Sequence, residues 1–394
     1  MLHLCAPVDV QIFLAEGREA SPLSAEEWLA LAKKLHQANE LHWHGFNVYL
    51  AGFTAEDAGG SVADFIKQLD KLQKCFHIYW DSGCVNSNLV SDRVLQELRR
   101  CSYLGSLVFE FSGSGPSAEE SGWSDFLKAV NAGFEVVASV TVGSYSGLHV
   151  EAVTDEALEA GAFAVVWERP GPASVEAGEI ELLKSVITQV KELQQAGANV
   201  TLSYCFPNCV TDSQAPGCLA GTVGAVVRAD GFLCPCRYSG RQGCLSLKEI
   251  DLEAAWSAPA FTQWRKRAQG VCSGCAYCEH CPGGCLLFEN DPLIGKKRAE
   301  EVTLQEASLE EELYPVPAYN VRQEEFGWLL MRGRQVIPVT WQAGGVLALF
   351  DGRHSLGDIE EEFGAGALAF VYSLYLRNFV KLLELEESSA EICS

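Results

Sequence analysis

Residues 124–142, SDFLKAVNAGFEVVASVTV, contain one complete helix-to-strand junction, and their reading decides the fold of the first half of the chain. A helical pattern runs through SDFLKAVNA and stops at Gly133, after which VVASVTV begins at Val136 as a β-branched run. Glycine just past a helical pattern is a stop signal, because without a Cβ it takes left-handed backbone at no steric cost. A strand with almost no polar positions is one buried on both faces, as in a parallel sheet.

The same junction recurs on both sides. The runs VDVQIFL, FNVYL, FHIYW, SLVFEF, VVASVTV and FAVVW start near Val8, Phe46, Phe76, Ser106, Val136 and Phe163, and a further one starts near Val200. The step is about thirty residues, the length of a strand, a crossover helix and two loops. Ser24 and Glu27 form a capping box ahead of the helical segment EEWLALAKKL. The pattern predicts an α/β fold, a partial (β/α) TIM-like barrel over residues 1–203.

The chain of 394 residues is 48% hydrophobic, enough to bury more than one core. A net charge of −23 argues against nucleic acid, whose binding rests on Lys and Arg neutralising phosphates. No basic segment followed by a long apolar run opens the sequence, and no eighteen consecutive residues are apolar. Neither secretion nor a membrane span is therefore predicted, and a cytoplasmic location is expected.

Cysteine is concentrated rather than spread. Eleven of the sixteen lie between residues 205 and 285: Cys205, Cys209, Cys218, Cys234, Cys236, Cys244, Cys272, Cys275, Cys278, Cys281 and Cys285. The run VCSGCAYCEHCPGGCLL sets five thiols among Gly, Pro and small residues that let sulfurs turn onto one centre, which is metal-site arithmetic. A disulfide framework suits a small secreted chain better than this long acidic one. Cys5, Cys75, Cys84, Cys101 and Cys393 stand singly and read as ordinary small residues. The CxxC pairs 272/275 and 278/281 also fit a zinc ribbon, so zinc stays open as the alternative metal. The segment AVVRADGFLCPC reads as a hairpin turning at Ala229, Asp230 and Gly231.

A βα barrel followed by these cysteines resembles the radical SAM enzymes that carry a SPASM domain. Phrases such as FLKAVNAGFEVVASVTV and ALEAGAFAVVWERPGP carry the resemblance in the barrel, and two ordered spacings carry it in residues 204–300. Cys218 precedes Gly231 by twelve residues and Gly231 precedes Cys236 by four; then comes Cys272-x2-Cys275-x5-Cys281-x3-Cys285. The resemblance implies one or two [4Fe–4S] clusters. The first would use Cys218, Cys236 and Cys285 with Cys209 upstream, Cys205 being the reserve. The second would use Cys272, Cys275 and Cys281, with Cys278 as a possible fourth ligand; Cys244, His280 or Glu289 could otherwise fill that place. The family's CxxxCxxC loop after the first strand falls here on AEGREASPLSAEEW, which has no cysteine, and its glycine-rich turn after the second strand is replaced by AGFTAEDAGG. Both departures touch the same cofactor, so no cleavage of S-adenosylmethionine by this chain alone is expected.

Residues 301–314 read as an acidic linker, and residues 315–388 follow as a third pattern. VRQEEFGWLLMRGRQVIPV reads as strand, turn at Gly333, strand; TWQAGGVLALFDG, SLGDIEEEF and AGALAFVYSLYLRNFVKLLEL read as helices, with Thr340 and Ser355 as caps and Gly352 as a stop. With VLALFDGRHSLGDIEEEF at its centre this segment resembles the winged-helix PqqD-like domain, the recognition element of peptide-modifying systems. There a leader peptide adds to the third strand and packs on the third helix, which implies contact with Arg334, Gln335, Val336, Ile337 and Val339 and with Leu368, Val371, Tyr372 and Tyr375. Pro338 has no N–H and fits an edge strand.

Taken together the sequence predicts a non-cleaving iron–sulfur partner that binds a precursor leader peptide and relays electrons to an active radical SAM protein. Two alternatives stay open, an enzyme working through an open auxiliary cluster and a structural zinc scaffold. His42 and His44 in LHWHG could form a metal pair or be structural, Asp81 and Glu110 could face an old cofactor pocket or cap helices, and His77 reads as a satisfied core histidine.

Overall fold

The computed structural model describes residues 4, 6–13, 23–42, 47–51, 61–71, 76–81, 92–112, 121–143, 149–171, 177–203, 205–211, 217–272, 275, 283–288, 291–295, 311–332, 335–375 and 379–384. The chain divides into two compact units, Met1–Lys297 and Arg298–Ser394.

In the first unit seven strands run parallel in sequence order: β1 Asp9–Phe13, β2 Asn47–Ala51, β3 Phe76–Asp81, β4 Leu104–Ser112, β5 Val136–Thr141, β6 Ala164–Glu168 and β7 Val200–Leu202. Helices α1 Ala25–His42, α2 Ser61–Lys71, α3 Asp92–Leu98, α4 Ser121–Asn131, α5 Val150–Glu159 and α6 Ala177–Gln195 form the crossovers. The expected junction at Gly133 is present: it takes φ +78° and donates its N–H to the Val130 carbonyl as α4 ends. The capping box is present too, with Ser24 N–H donating to Glu27 Oε2 at 2.7 Å and Glu27 N–H to Ser24 Oγ at 3.3 Å. Val10, Ile12, Ile78, Leu107, Phe109, Ala138, Val140, Val165 and Trp167 are almost wholly buried, which accounts for the near-absence of polar positions in these strands. His77 Nδ1 lies 2.7 Å from Ser106 Oγ on the neighbouring strand, so it is a hydrogen-bonded histidine of the sheet.

The cysteine-rich region belongs to this same unit rather than to a separate body. After the short helix α7 Asn208–Thr211, strand β8 Gly224–Val227 pairs in parallel with β1 and extends the sheet. β9 Phe232–Cys234 returns antiparallel to β8 around the turn at Gly231, and β10 Leu245–Ser246 pairs with β9. Helices α8 Leu252–Trp256 and α9 Pro259–Val271 pack onto the same core, where Trp256 Nε1 donates to the Leu4 carbonyl at 2.8 Å. Arg265 holds the two ends together, donating to the Gly221 carbonyl at 2.7 Å and to the Trp256 carbonyl at 3.2 Å.

The second unit is a three-stranded antiparallel sheet with helices. Strand β11 Tyr314–Pro317 comes first, then β12 Asn320–Glu324, β13 Gly327–Arg332 and β14 Gln335–Thr340 form the sheet in that order. Helices α10 Gly344–Ala348, α11 Leu356–Phe363 and α12 Ala365–Tyr375 follow, and β15 Val380–Leu383 returns to pair with β11. The long third helix expected through Leu385 is thus replaced by a shorter helix and a strand. VKLL fits either period, and its partner lies far off in the sequence, so tertiary pairing decides. The expected linker likewise ends early, because Tyr314 already stands in β11, a strand whose two prolines make it look like loop. Ser355 caps α11 in a full capping box with Asp358, whereas Thr340 makes no side-chain cap. Gly352 takes left-handed backbone as expected, but past the end of α10, and its N–H reaches the Pro315 carbonyl at 3.1 Å.

Candidate metal centre

Strand β7 ends at Leu202, and Cys205 follows at the C-terminal end of the parallel strands, where loops of a βα array carry its chemistry. Three further thiols are brought to it. Cys218 precedes β8, and its N–H donates to the Gly283 carbonyl at 3.1 Å. Cys236 follows β9, with its carbonyl accepting from Ser239 Oγ at 2.7 Å. Cys285 has its N–H on Asp291 Oδ2 at 2.7 Å.

These four thiols act on one another's ionisation. Burial raises the Cys205 thiol well above its ordinary value, and the charges of Cys218, Cys285 and Cys236 raise it further, with Glu168 adding to the effect. The Cys218 thiol is pushed up to about 12, first by burial and then by Cys236 and Cys285. Burial is the leading cause at Cys236 and Cys285 as well. Three of the sulfurs nevertheless carry backbone donors that favour a thiolate: N–H groups of Leu286 and Ala220 on Cys218, of Tyr238 and Ser239 on Cys236, and of Leu287 and Phe288 on Cys285. Such a group is costly to ionise alone and ready to ionise against a cation. Among the described residues no three His, Cys, Asp or Glu side chains converge as ligands of one metal ion.

A buried ion pair fixes this end of the sheet. Arg169, just past β6, meets Asp291 in a two-pronged contact, Nη1 to Oδ2 at 2.6 Å and Nη2 to Oδ1 at 2.9 Å, with side chains 0% and 1% exposed. The same guanidinium donates to the Cys205 carbonyl at 3.1 Å and lies over the Phe288 ring at 4.9 Å. Arg169 and Asp291 therefore join the loop of Cys205 to the loop of Cys285. Gly284 makes the approach possible, since a Cβ there would lie 2.0 Å from Asp291 Oδ2. Neither Arg169 nor Asp291 stood out in the sequence. The only signal was RPGP after a strand, which names a strand end but no partner.

Of the expected ligands, the structure groups Cys205, the reserve, with Cys218, Cys236 and Cys285; Cys209 sits one step further on, half-buried within α7. Cys272 and Cys275 are buried at the end of α9, joined by a bond from Cys275 N–H to the Cys272 carbonyl at 3.0 Å. Cys278, Cys281, His280 and Glu289 lie outside the described residues, as do Cys5, Cys75, Cys84, Cys393, His44, the stretch 14–22 and the side chains of His42 and Asp81. Glu110, at the end of β4, raises the Tyr238 phenol, to which burial contributes most. Among the described residues no two cysteines are joined in a disulfide.

On the second unit's expected peptide surface, β14 is an edge of its sheet. Ile337 and Val339 turn into the core beside Leu330, while Val336 and Pro338 are half-buried on the other side. Arg334 and the side chain of Gln335 lie outside the described residues. Val371 is 0% exposed and packs in the core with Ala367 and Leu374, so it cannot be a surface anchor; Leu368 and Tyr372 are half-buried and Tyr375 is 41% exposed. The helix is apolar almost all round, and its sequence does not reveal which stripe faces inward.

No protein-family model matches the chain, and no curated protein sequence matches it. Solved structures do. Streptococcus suis SuiB bound to S-adenosylmethionine superposes with a TM-score of 0.52 at 14% identity, over 73% of this chain and 77% of that one. Hexahistidine-tagged anSMEcpe with bound AdoMet gives 0.52 at 15% identity, over 71% and 86%. The fold is radical SAM-like. No described helix is long and apolar enough to cross a membrane.

Proposed function

We propose that the chain is an iron–sulfur partner protein in the maturation of a ribosomally made peptide. The observation that carries this reading is the group of four mutually interacting thiols at the end of β7, three of them furnished with backbone N–H donors. Cys205, Cys218, Cys236 and Cys285 would hold one [4Fe–4S] cluster; Cys272, Cys275 and Cys281, with Cys278 as fourth, would hold a second. A bound cluster supplies a one-electron store whose potential follows its hydrogen bonds and burial. The chain's own part is to present the sulfurs, neutralise them with N–H dipoles and lock two ligand loops together through Arg169 and Asp291.

The two solved structures of like fold hold S-adenosylmethionine, but AEGREASPLSAEEW offers no thiol for the cluster that cleaves it. The chain therefore works beside an active radical SAM protein and relays electrons to it. In the second unit the free edge of β14 takes the leader peptide as an added strand, and Leu368, Tyr372 and Tyr375 flank it. Micromolar binding corresponds to about −8 kcal/mol, within reach of a few ladder bonds and two apolar anchors after ordering costs. The test is direct. Reduced and supplied with S-adenosylmethionine, the chain alone yields no 5′-deoxyadenosine above buffer background; sustained production would overturn the non-cleaving assignment.

A further inference from the structure

We propose a second thiol site separate from the four-cysteine group: Cys234 and Cys244 form a reversible disulfide by exchange with a small-molecule disulfide. Strand register places them together. Leu245 pairs with Leu233 and Ser246 with Phe232, so one step further Cys244 stands opposite Cys234. The backbone bonds settle which kind of pair this is. Leu247 N–H donates to the Gly231 carbonyl at 2.9 Å across the β9–β10 side, and Arg228 N–H donates to the Phe232 carbonyl at 2.9 Å across the β8–β9 side. Backbone groups alternate sides along a strand, so those of Cys234, like those of Phe232, face β8. Cys234 and Cys244 are therefore a non-hydrogen-bonded antiparallel pair, whose Cα atoms stand about 4.5 Å apart. That lies within the roughly 4.4–6.8 Å that disulfides span.

The side chains agree with the backbone. The Cys234 thiol is hydrogen-bonded to the Cys244 sulfur, and the Cys244 thiol donates in turn to the Gly240 carbonyl at 3.6 Å. Cys234 is 0% exposed and Cys244 6%, so Cys244 is the one an incoming disulfide meets first. Its sulfur attacks one sulfur of RSSR, releasing the first RSH and leaving a mixed disulfide; Cys234 then attacks the Cys244 sulfur and releases the second RSH. The pair loses two electrons and two hydrogens, and RSSR gains both. The bond closes a loop of nine residues, 235–243, that carries Cys236. It thus fastens a cluster-ligand loop to the strand pair without using any thiol of the cluster group.

The test uses the full chain, purified without oxygen and equilibrated with glutathione buffers of rising oxidised fraction. It is then quenched in acid, alkylated under denaturing conditions, digested and weighed. The expected result is a linked peptide pair joining Cys234 to Cys244, two hydrogens lighter than the reduced pair, rising with a single midpoint. In Cys234→Ser the exchange stops halfway, and Cys244 carries one glutathione; in Cys244→Ser the buried Cys234 takes up at least tenfold less. Both residues alkylated at the most oxidised buffer, or either one linked to Cys236 in preference, would overturn the proposal.

Discussion

The two compact units are built by opposite means around their candidate sites. At the end of β7 the first unit buries charge and thiols together: Arg169 and Asp291 are sealed from solvent, and the cysteines around them are met by backbone N–H groups. The second unit is built on an apolar core of Leu330, Ile337, Val339, Phe350, Ile359, Val371 and Leu374. Its buried ion pair, Arg322 with Glu324 at 2.7 Å, is on β12, the opposite edge of the sheet from β14. The first arrangement suits a fixed inorganic group that cannot adjust to its ligands. The second leaves the β14 edge without a partner strand among the described residues, which suits an extended chain that brings its own hydrogen bonds.

Changes in each unit can break this contrast. Val371→Asp places a carboxylate in the second unit's core and should cost about 5 kcal/mol or more, enough to unfold that unit; calorimetry should show its transition vanish. Tyr375→Asp, at an exposed position of the same helix, should keep the transition and lower leader-peptide affinity about tenfold, roughly 1.4 kcal/mol. A native-like transition in Val371→Asp would mean that the core does not carry the unit. In the first unit, Asp291→Asn keeps the shape but leaves the Arg169 charge buried without its carboxylate. The expected loss is about 3–5 kcal/mol, read from the urea midpoint of that unit, and an unchanged midpoint would remove buried charge from the account.

The smallest effect belongs to a surface cap. Ser355→Ala should cost about 1 kcal/mol. Hydrogen bonds from Ser355 hold the Asp358 carboxyl below its ordinary value. A depressed carboxylate adds stability that is present above the unfolded value near about 3.9 and is lost as pH falls through the lower folded value. The gap between wild type and Ser355→Ala should therefore narrow below about pH 4; a gap constant to pH 2 would mean that the cap does not act through Asp358.

The strands of the first unit were legible because burial on both faces leaves a plain mark, and Gly133 and Ser24 end and start helices by local chemistry alone. The hairpin at Gly231 was legible for the same reason. What sequence could not show was where separate segments meet. Nothing in AVVRADG says that β8 extends the parallel sheet beside β1, and nothing local pairs Arg169 with Asp291 across more than a hundred residues. Cys205 and Cys209 both looked eligible, and nothing local says that the charges of Cys218, Cys236 and Cys285 act on Cys205. In α12 the excess of apolar residues hid the inward stripe, which misplaced Val371. β11 and β15 escaped because each is defined by the other.

The most direct test of the central claim compares the iron and acid-labile sulfide content of the full chain, purified without oxygen, with that of Cys205→Ala and Cys209→Ala. Loss of about four irons and the matching sulfide per chain in Cys205→Ala, with Cys209→Ala unchanged, is the predicted result. A colourless wild-type protein holding stoichiometric zinc, or iron lost from Cys209→Ala and retained in Cys205→Ala, would contradict it.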